Sequence, residues 1–138
     1  MIDPYSSEVL KPLYVKDEAC RKVLLEEAEK IPSTVISSAA AANAVMLGGG
    51  YFNPLSGYMD LADLIGVAER MQTSSGLFWP TPVVNMLRGN FLSEEIKSAG
   101  KIALRDPNVE GNPVIAVQAV DKIEIVTEKQ IGEIVKHV

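Results

Sequence analysis

The chain is 138 residues long, the usual size of one domain, with 13 Lys and Arg against 18 Asp and Glu for a formal charge of −5. Hydrophobic residues make up 47% and charged residues 22%, which excludes a disordered chain, and this length buries roughly two-thirds of its unfolded surface. The acidic balance argues against nucleic-acid binding, and a lone cysteine (Cys20) and a lone histidine (His137) exclude an intramolecular disulfide and a four-ligand Cys/His zinc site. They also leave no Cys-His pair for nucleophilic catalysis unless the last two residues fold back into a cleft.

Met1-Ile2-Asp3-Pro4 lacks the basic region and apolar run of a signal peptide. Leu13-Tyr14-Val15 forms a short extended piece between Pro12 and the first helix signal. Asp17 is an N-cap, and a helix over Glu18–Lys30 places Cys20, Val23, Leu24, Glu27 and Ile31 at helical spacing, with Pro32 ending it. On that stripe Cys20 reads as a buried small hydrophobe rather than a reactive thiol. Val35-Ile36 is a short strand, Ser37 or Ser38 caps the next helix, and Ala39–Leu47 is alanine-rich helix ended by Gly48-Gly49-Gly50. These glycines follow a helix rather than precede one with Lys and Ser or Thr, so they read as cap and turn and not as a phosphate loop. The uncharged stretch from Ile31 to Met59 is broken by Pro32, the glycines and Pro54. Its apolar piece is too short for a membrane span of about 20 residues.

Tyr51–Tyr58 is a Pro- and Gly-punctuated loop with three aromatics. Asp60 caps a helix whose stripe is Leu61, Leu64, Ile65, Ala68 and Met71. Thr73-Ser74-Ser75-Gly76 is a turn, and Leu77–Leu87 reads as an apolar strand confined to a sheet edge or bulge by Pro80 and Pro82. Trp79 fits a core position or an interdomain contact better than a stacking platform for a base, since no basic residue lies between Met71 and Leu87. Lys101–Arg105, Pro113–Val120 and Lys122–Val126 read as strands, with a turn over Asp106–Asn112 and a final helix opening at Thr127-Glu128-Lys129-Gln130. Arg105, Asp106, Glu110 and Asp121 are charges at hairpin ends; paired carboxylates there could act as acid and base but have no nucleophile or metal partner.

Two stretches carry a family resemblance. Residues 43–59, Asn-Ala-Val-Met-Leu-Gly-Gly-Gly-Tyr-Phe-Asn-Pro-Leu-Ser-Gly-Tyr-Met, followed by Gly76-Leu77-Phe78-Trp79-Pro80-Thr81-Pro82-Val83, resemble the N-terminal signature of ATP sulfurylases (sulfate adenylyltransferases). Residues 102–117, with Arg105-Asp106-Pro107-Asn108-Val109-Glu110-Gly111-Asn112-Pro113, resemble that family's barrel hairpin, in wording similar to enzymes of sulfur-oxidising and sulfate-reducing prokaryotes. The resemblance covers essentially the whole chain and implies an α+β fold, a PUA-like mixed pseudo β-barrel with packed helices, forming one N-terminal domain over residues 1–138. In that family this domain precedes a catalytic nucleotidyltransferase domain that makes adenosine 5′-phosphosulfate and pyrophosphate from ATP and sulfate.

The family's Gln-x-Arg-Asn-Pro, His-x-x-His and Gly-Arg-Asp-His-Ala-Gly motifs are absent here. The expectation is therefore a domain of sulfur metabolism that is inactive alone, with no catalytic, cofactor-binding or metal residue. ATP and magnesium are implied only for the full enzyme. Its expected partner is the catalytic domain, in cis or as a separate chain, in a cytoplasmic and homo-oligomeric parent, without nucleic acid or membrane. Tyr51, Phe52, Tyr58 and Trp79 are the candidate interdomain contacts. The alternative is a free-standing PUA-like module that binds RNA or protein, which the −5 charge disfavours.

Overall fold

Short polar side chains set the start of each helix. Asp17 caps α1 (Glu18–Ala28) by accepting from the Cys20 amide, and Ser37 caps α2 (Ser38–Gly48) by accepting from Ala40. Asp60 caps α3 (Leu61–Arg70) at Asp63, and Ser93 caps α4 (Glu94–Ser98) at Ile96. Thr127 opens α5 (Glu128–His137) with a reciprocal box, its hydroxyl accepting from the Gln130 amide while Gln130 Oε1 accepts from the Thr127 amide. Each such cap satisfies amides that the first helical turn cannot.

The computed structural model describes residues 3–7 and 9–138, so the reading at Met1 and Ile2 lies outside the described residues. The chain forms two compact units. One runs to Gly57 and resumes over Met86–Asp121; the other comprises Tyr58–Asn85 and Lys122–Val138.

The first unit holds a three-stranded sheet in the order β1-β2-β3, from β1 (Ser33–Val35), β2 (Lys101–Arg105) and β3 (Val114–Ala119). β1 runs parallel to β2, and β3 returns antiparallel with a register shift between Leu104 and Arg105. The central strand is the buried one. Ile102, Ala103 and Leu104 are all inaccessible, and burying Leu104 alone is worth roughly 1.5–3 kcal/mol. Ala28, Ala40, Ala41 and Leu47 are the buried residues of α1 and α2, both of which contact β3. The sheet is mixed as expected but open, so the barrel is only loosely matched.

In the second unit α3 packs on α5, and Leu64, Val67, Ala68, Trp79 and Val83 are buried. The buried stripe of α3 is therefore Leu64, Val67 and Ala68. Met71, expected on the stripe, is instead the exposed left-handed cap, with φ 54°. That turn folds the chain back so that the Gln72 amide donates to the Gly66 carbonyl at 3.3 Å.

Three further expectations are corrected. Cys20 is exposed, because α1 buries only Ala28 and leaves Val23, Leu24 and Leu25 open; helical spacing defines a stripe but supplies no partner for it. Leu77–Leu87 is not a strand: Phe78 makes one isolated bridge to Gln72, and Pro80 and Pro82 have no amide to extend a ladder. Lys122–Val126 is not a strand either, and Ile125 is 84% exposed. The α4 helix and a 3-10 turn at Gly89–Phe91 occupy a stretch where no element was expected.

A methyl group at Gly66 would sit 2.5 Å from the Gln72 carbonyl oxygen, which belongs to the backbone and has little room to yield. Gly66→Ala is expected to destabilise the protein by about 1–3 kcal/mol in urea unfolding, where an open helix would gain about 1 kcal/mol from the same change.

Candidate functional site

The glycine-aromatic loop is built from the end of α2 outward. Gly49 caps the helix, and Gly50 takes φ +79°, the left-handed geometry that turns the chain. The Tyr51 amide donates to Met46 O, Asn53 to Gly50 O and Leu55 to Phe52 O, each within 3.1 Å, so the loop is a run of tight turns that includes a cis Asn53-Pro54 bond. The N-terminal segment fastens to it. Leu13 and Tyr14 amides both donate to Gly48 O, and Asn53 Nδ2 donates to Ser7 Oγ at 2.6 Å and to the Tyr5 carbonyl at 3.2 Å. A Cβ at Gly50 would press on Leu10 and Pro12, which is a second reason for glycine there.

These contacts frame an open concavity of about 340 Å³ whose walls include Tyr5, Leu10, Gly50, Tyr51 and Asn53. Tyr51 stands 75% exposed beside it, and Tyr5 and Leu10 are exposed as well. Of the four expected contact residues, Tyr51 and Phe52 belong to the first unit, with Phe52 half-buried. Tyr58 and Trp79 belong to the second. Trp79 is only 7% exposed, which is the core position among its possible readings, and the neighbouring Pro80 is on the surface. Burial pushes the Tyr58 phenol up to about 12, so it is neutral at physiological pH.

Directly after Tyr58 and Met59 lies a charged cluster that the sequence reading missed. Asp60 Oδ1 accepts from the Asp63 amide at 2.9 Å while Oδ2 pairs with Lys122 Nζ at 2.8 Å. The same ammonium lies 3.4 Å from Glu124 Oε1, and Glu124 Oε2 accepts from the Leu61 amide at 2.9 Å. Both carboxylates thus serve the first turn of α3, where amides are unsatisfied and the helix dipole favours negative charge. Lys122 and Glu124 were legible only as alternation with Ile123 and Ile125. The better signal was an acidic residue two positions after a lysine, available to a capping Asp.

The hairpin charges build their turn. Arg105 Nε donates to Ser33 Oγ at 3.0 Å, one terminal nitrogen to Asn112 O at 3.2 Å, and the other pairs with Glu29 at 2.5 Å. Asp106 Oδ1 accepts from the Asn108 amide, Asn112 Nδ2 donates to Asp106 O, and Ser38 Oγ donates to Asn108 Oδ1. Gly111 and Asn112 are both left-handed, at φ 80° and 45°, a conformation these two residue types tolerate. The Asp106 carboxylate, one of the hairpin charges considered for acid–base work, holds its own turn. Among the described residues no group of three or more His, Cys, Asp and Glu side chains is placed to hold a metal ion. Among them, too, no helix is long and apolar enough to cross a membrane.

Comparison with known proteins follows the same lines. The PUA-like domain family matches residues 2–135. Sulfate adenylyltransferase of Alcanivorax borkumensis is 51% identical over all 138 residues, and that of Allochromatium vinosum 46%; this chain covers 34% of each. The chain therefore spans about a third of the length of the curated relatives it matches. Among solved structures, the hexameric APS kinase from Thiobacillus denitrificans superposes with a TM-score of 0.69 at 26% identity, over 93% of this chain and 24% of that one.

The charged cluster sets the pH response. The Lys122 ammonium, then the Asp63 amide, hold the Asp60 carboxyl below its ordinary 3.8. Its stabilisation is present above 3.8 and is lost as pH falls through the lowered folded value. Lys122 is raised above 10.5 chiefly by Asp60, so its share is present below 10.5 and is lost as pH rises beyond the raised value. Tyr58 adds to the alkaline loss between 10 and about 12, where only the unfolded phenol ionises. Asp60→Ala is expected to cost about 1 kcal/mol at neutral pH and to flatten the acid limb of a stability–pH curve. Tyr58→Phe is expected to flatten the alkaline limb.

Proposed function

The chain belongs to the PUA-like domain family, and we propose that it serves as the N-terminal structural domain of a sulfate adenylyltransferase. The observation that carries this reading is the alignment of all 138 residues, at 51% identity, with one third of such an enzyme. The parent reaction joins ATP and sulfate into adenosine 5′-phosphosulfate and pyrophosphate. A sulfate oxygen attacks the α-phosphorus, so the enzyme must hold a weak nucleophile in line and neutralise crowded negative charge.

That work falls to the remainder of the parent polypeptide, in cis or as a separate chain. ATP and magnesium belong there, since the motifs that would hold them are missing from this sequence. This domain's task is to support the catalytic portion, within a cytoplasmic homo-oligomer. The open surface around Tyr51 supports that role: a large aromatic standing clear of its own unit is the residue type enriched at interfaces.

Pyrophosphate-dependent ATP formation from adenosine phosphosulfate tests the proposal. The 138-residue chain alone is expected to give no activity, and mixing with a catalytic portion is expected to restore or raise it. Tyr51→Ser is expected to weaken that complementation by about tenfold, the loss of one interface anchor worth about 1.4 kcal/mol. Activity from the chain alone, or none on mixing, would overturn the reading.

A further inference from the structure

Among the described residues, none ahead of Ala28 is buried. Val9, Leu10, Leu13 and Tyr14 are 49% to 60% exposed, so this stretch adds little to the core of its unit. A segment with so few buried contacts opens at a small part of the free energy of global unfolding.

The stretch is nonetheless fastened at three points along one loop. The Gly48 carbonyl, at the end of α2 where a helix leaves carbonyls without partners, accepts from the Leu13 and Tyr14 amides at 2.9 and 3.1 Å. Leu10 and Pro12 lie on Gly50, where a Cβ would come within 3.3 Å of Leu10 Cδ1. Asn53 Nδ2 grips Ser7 Oγ and the Tyr5 carbonyl. Val15 and Lys16, two irregular residues between the Tyr14 anchor and the Asp17 cap, are the place for a hinge.

We propose that residues 9–15, with the Pro4–Ser7 turn ahead of them, form a strap that opens and closes as a unit on the glycine-aromatic loop, with Asn53 as its latch. The concavity beside Tyr51 exists only when the strap is closed, since Tyr5 and Leu10 supply one wall and Gly50, Tyr51 and Asn53 the other. A partner seated there touches both walls and binds the closed form alone. Binding and closure therefore reinforce each other, and each must shift the other by the same factor. The partner is the catalytic portion, and this half of the inference rests on the function proposed above.

Amide hydrogen exchange in this chain tests the strap. The Leu13 and Tyr14 amides are expected to show protection equal within about threefold, and about a hundredfold or more below that of Ala103, whose amide donates to Pro32 O inside the sheet. Asn53→Ala touches neither strap amide, yet is expected to speed both by about tenfold and leave Ala103 unchanged. Should that variant lose its Ala103 protection, Ser7→Ala decides instead, with both amides about threefold faster. Strap amides as slow as Ala103, or indifferent to the loss of the latch, overturn the proposal. The catalytic portion of the Alcanivorax borkumensis enzyme, added at about ten times its dissociation constant, is expected to slow both amides about tenfold. Restored activity on mixing with unchanged exchange at Leu13 and Tyr14 would sink this inference and leave the proposed function standing; slowed exchange without restored activity would do the reverse.

Discussion

The Arg105 guanidinium is the contact on which the first unit depends. It stands at the end of the buried strand and reaches three places at once: Ser33 on β1, Glu29 just beyond α1, and the carbonyl of Asn112 across the hairpin. A planar fork with several fixed donors can do this and a lysine ammonium cannot, since its single nitrogen would have to choose. The turn that Arg105 grips is rigid in its own right, through Asp106, Asn108 and Asn112. The hairpin signature is thus a piece of scaffolding: Asp106 and Asn112 bond its own backbone, while Arg105 and Asn108 reach side chains outside the turn.

The second unit rests on the same economy. Asp63 accepts from both the amide and the hydroxyl of Ser74, at 2.8 and 2.6 Å, which pins the turn after α3 back to that helix's first residues. Gly66 gives the returning backbone room to pass, and Asp60 and Glu124 tie the segment after Asp121 to the same helix start. These carboxylates are local fasteners.

Much of this was legible in the sequence. The helix caps follow from the chemistry of a short acceptor one turn ahead of unsatisfied amides: Asp17 and Asp60 cap where expected, Ser37 is one of the two serines offered, and the last helix starts at the Thr127 segment that was read as opening it. The strand at Lys101–Arg105 and the turn after it were also expected, as was a strand over Pro113–Val120, which is observed at Val114–Ala119. Alternation misled at Lys122–Val126, where Lys122 and Glu124 reach back to a helix terminus and Ile123 and Ile125 are exposed. Periodicity reports which residues share a side, not what lies on that side. The same limit applies to Cys20: its helix exists, but burial of the stripe depended on a neighbour that spacing cannot supply. For the candidate contact surface, the glycine-aromatic motif gave the loop, while the exposure of Tyr51 and the burial of Trp79 are properties of tertiary packing.

The way the two units share the chain has a consequence for biosynthesis. Residues up to Asp121 contain the whole first unit, whereas the second is interrupted by the first and lacks Lys122, Glu124 and α5 until residues 122–138 are made. On a ribosome that emits the chain from its N-terminus, domains mature in order of completion. The sheet unit can therefore close while the Leu61 amide of α3 waits for Glu124, and a later stretch of the nascent chain finishes the older helix.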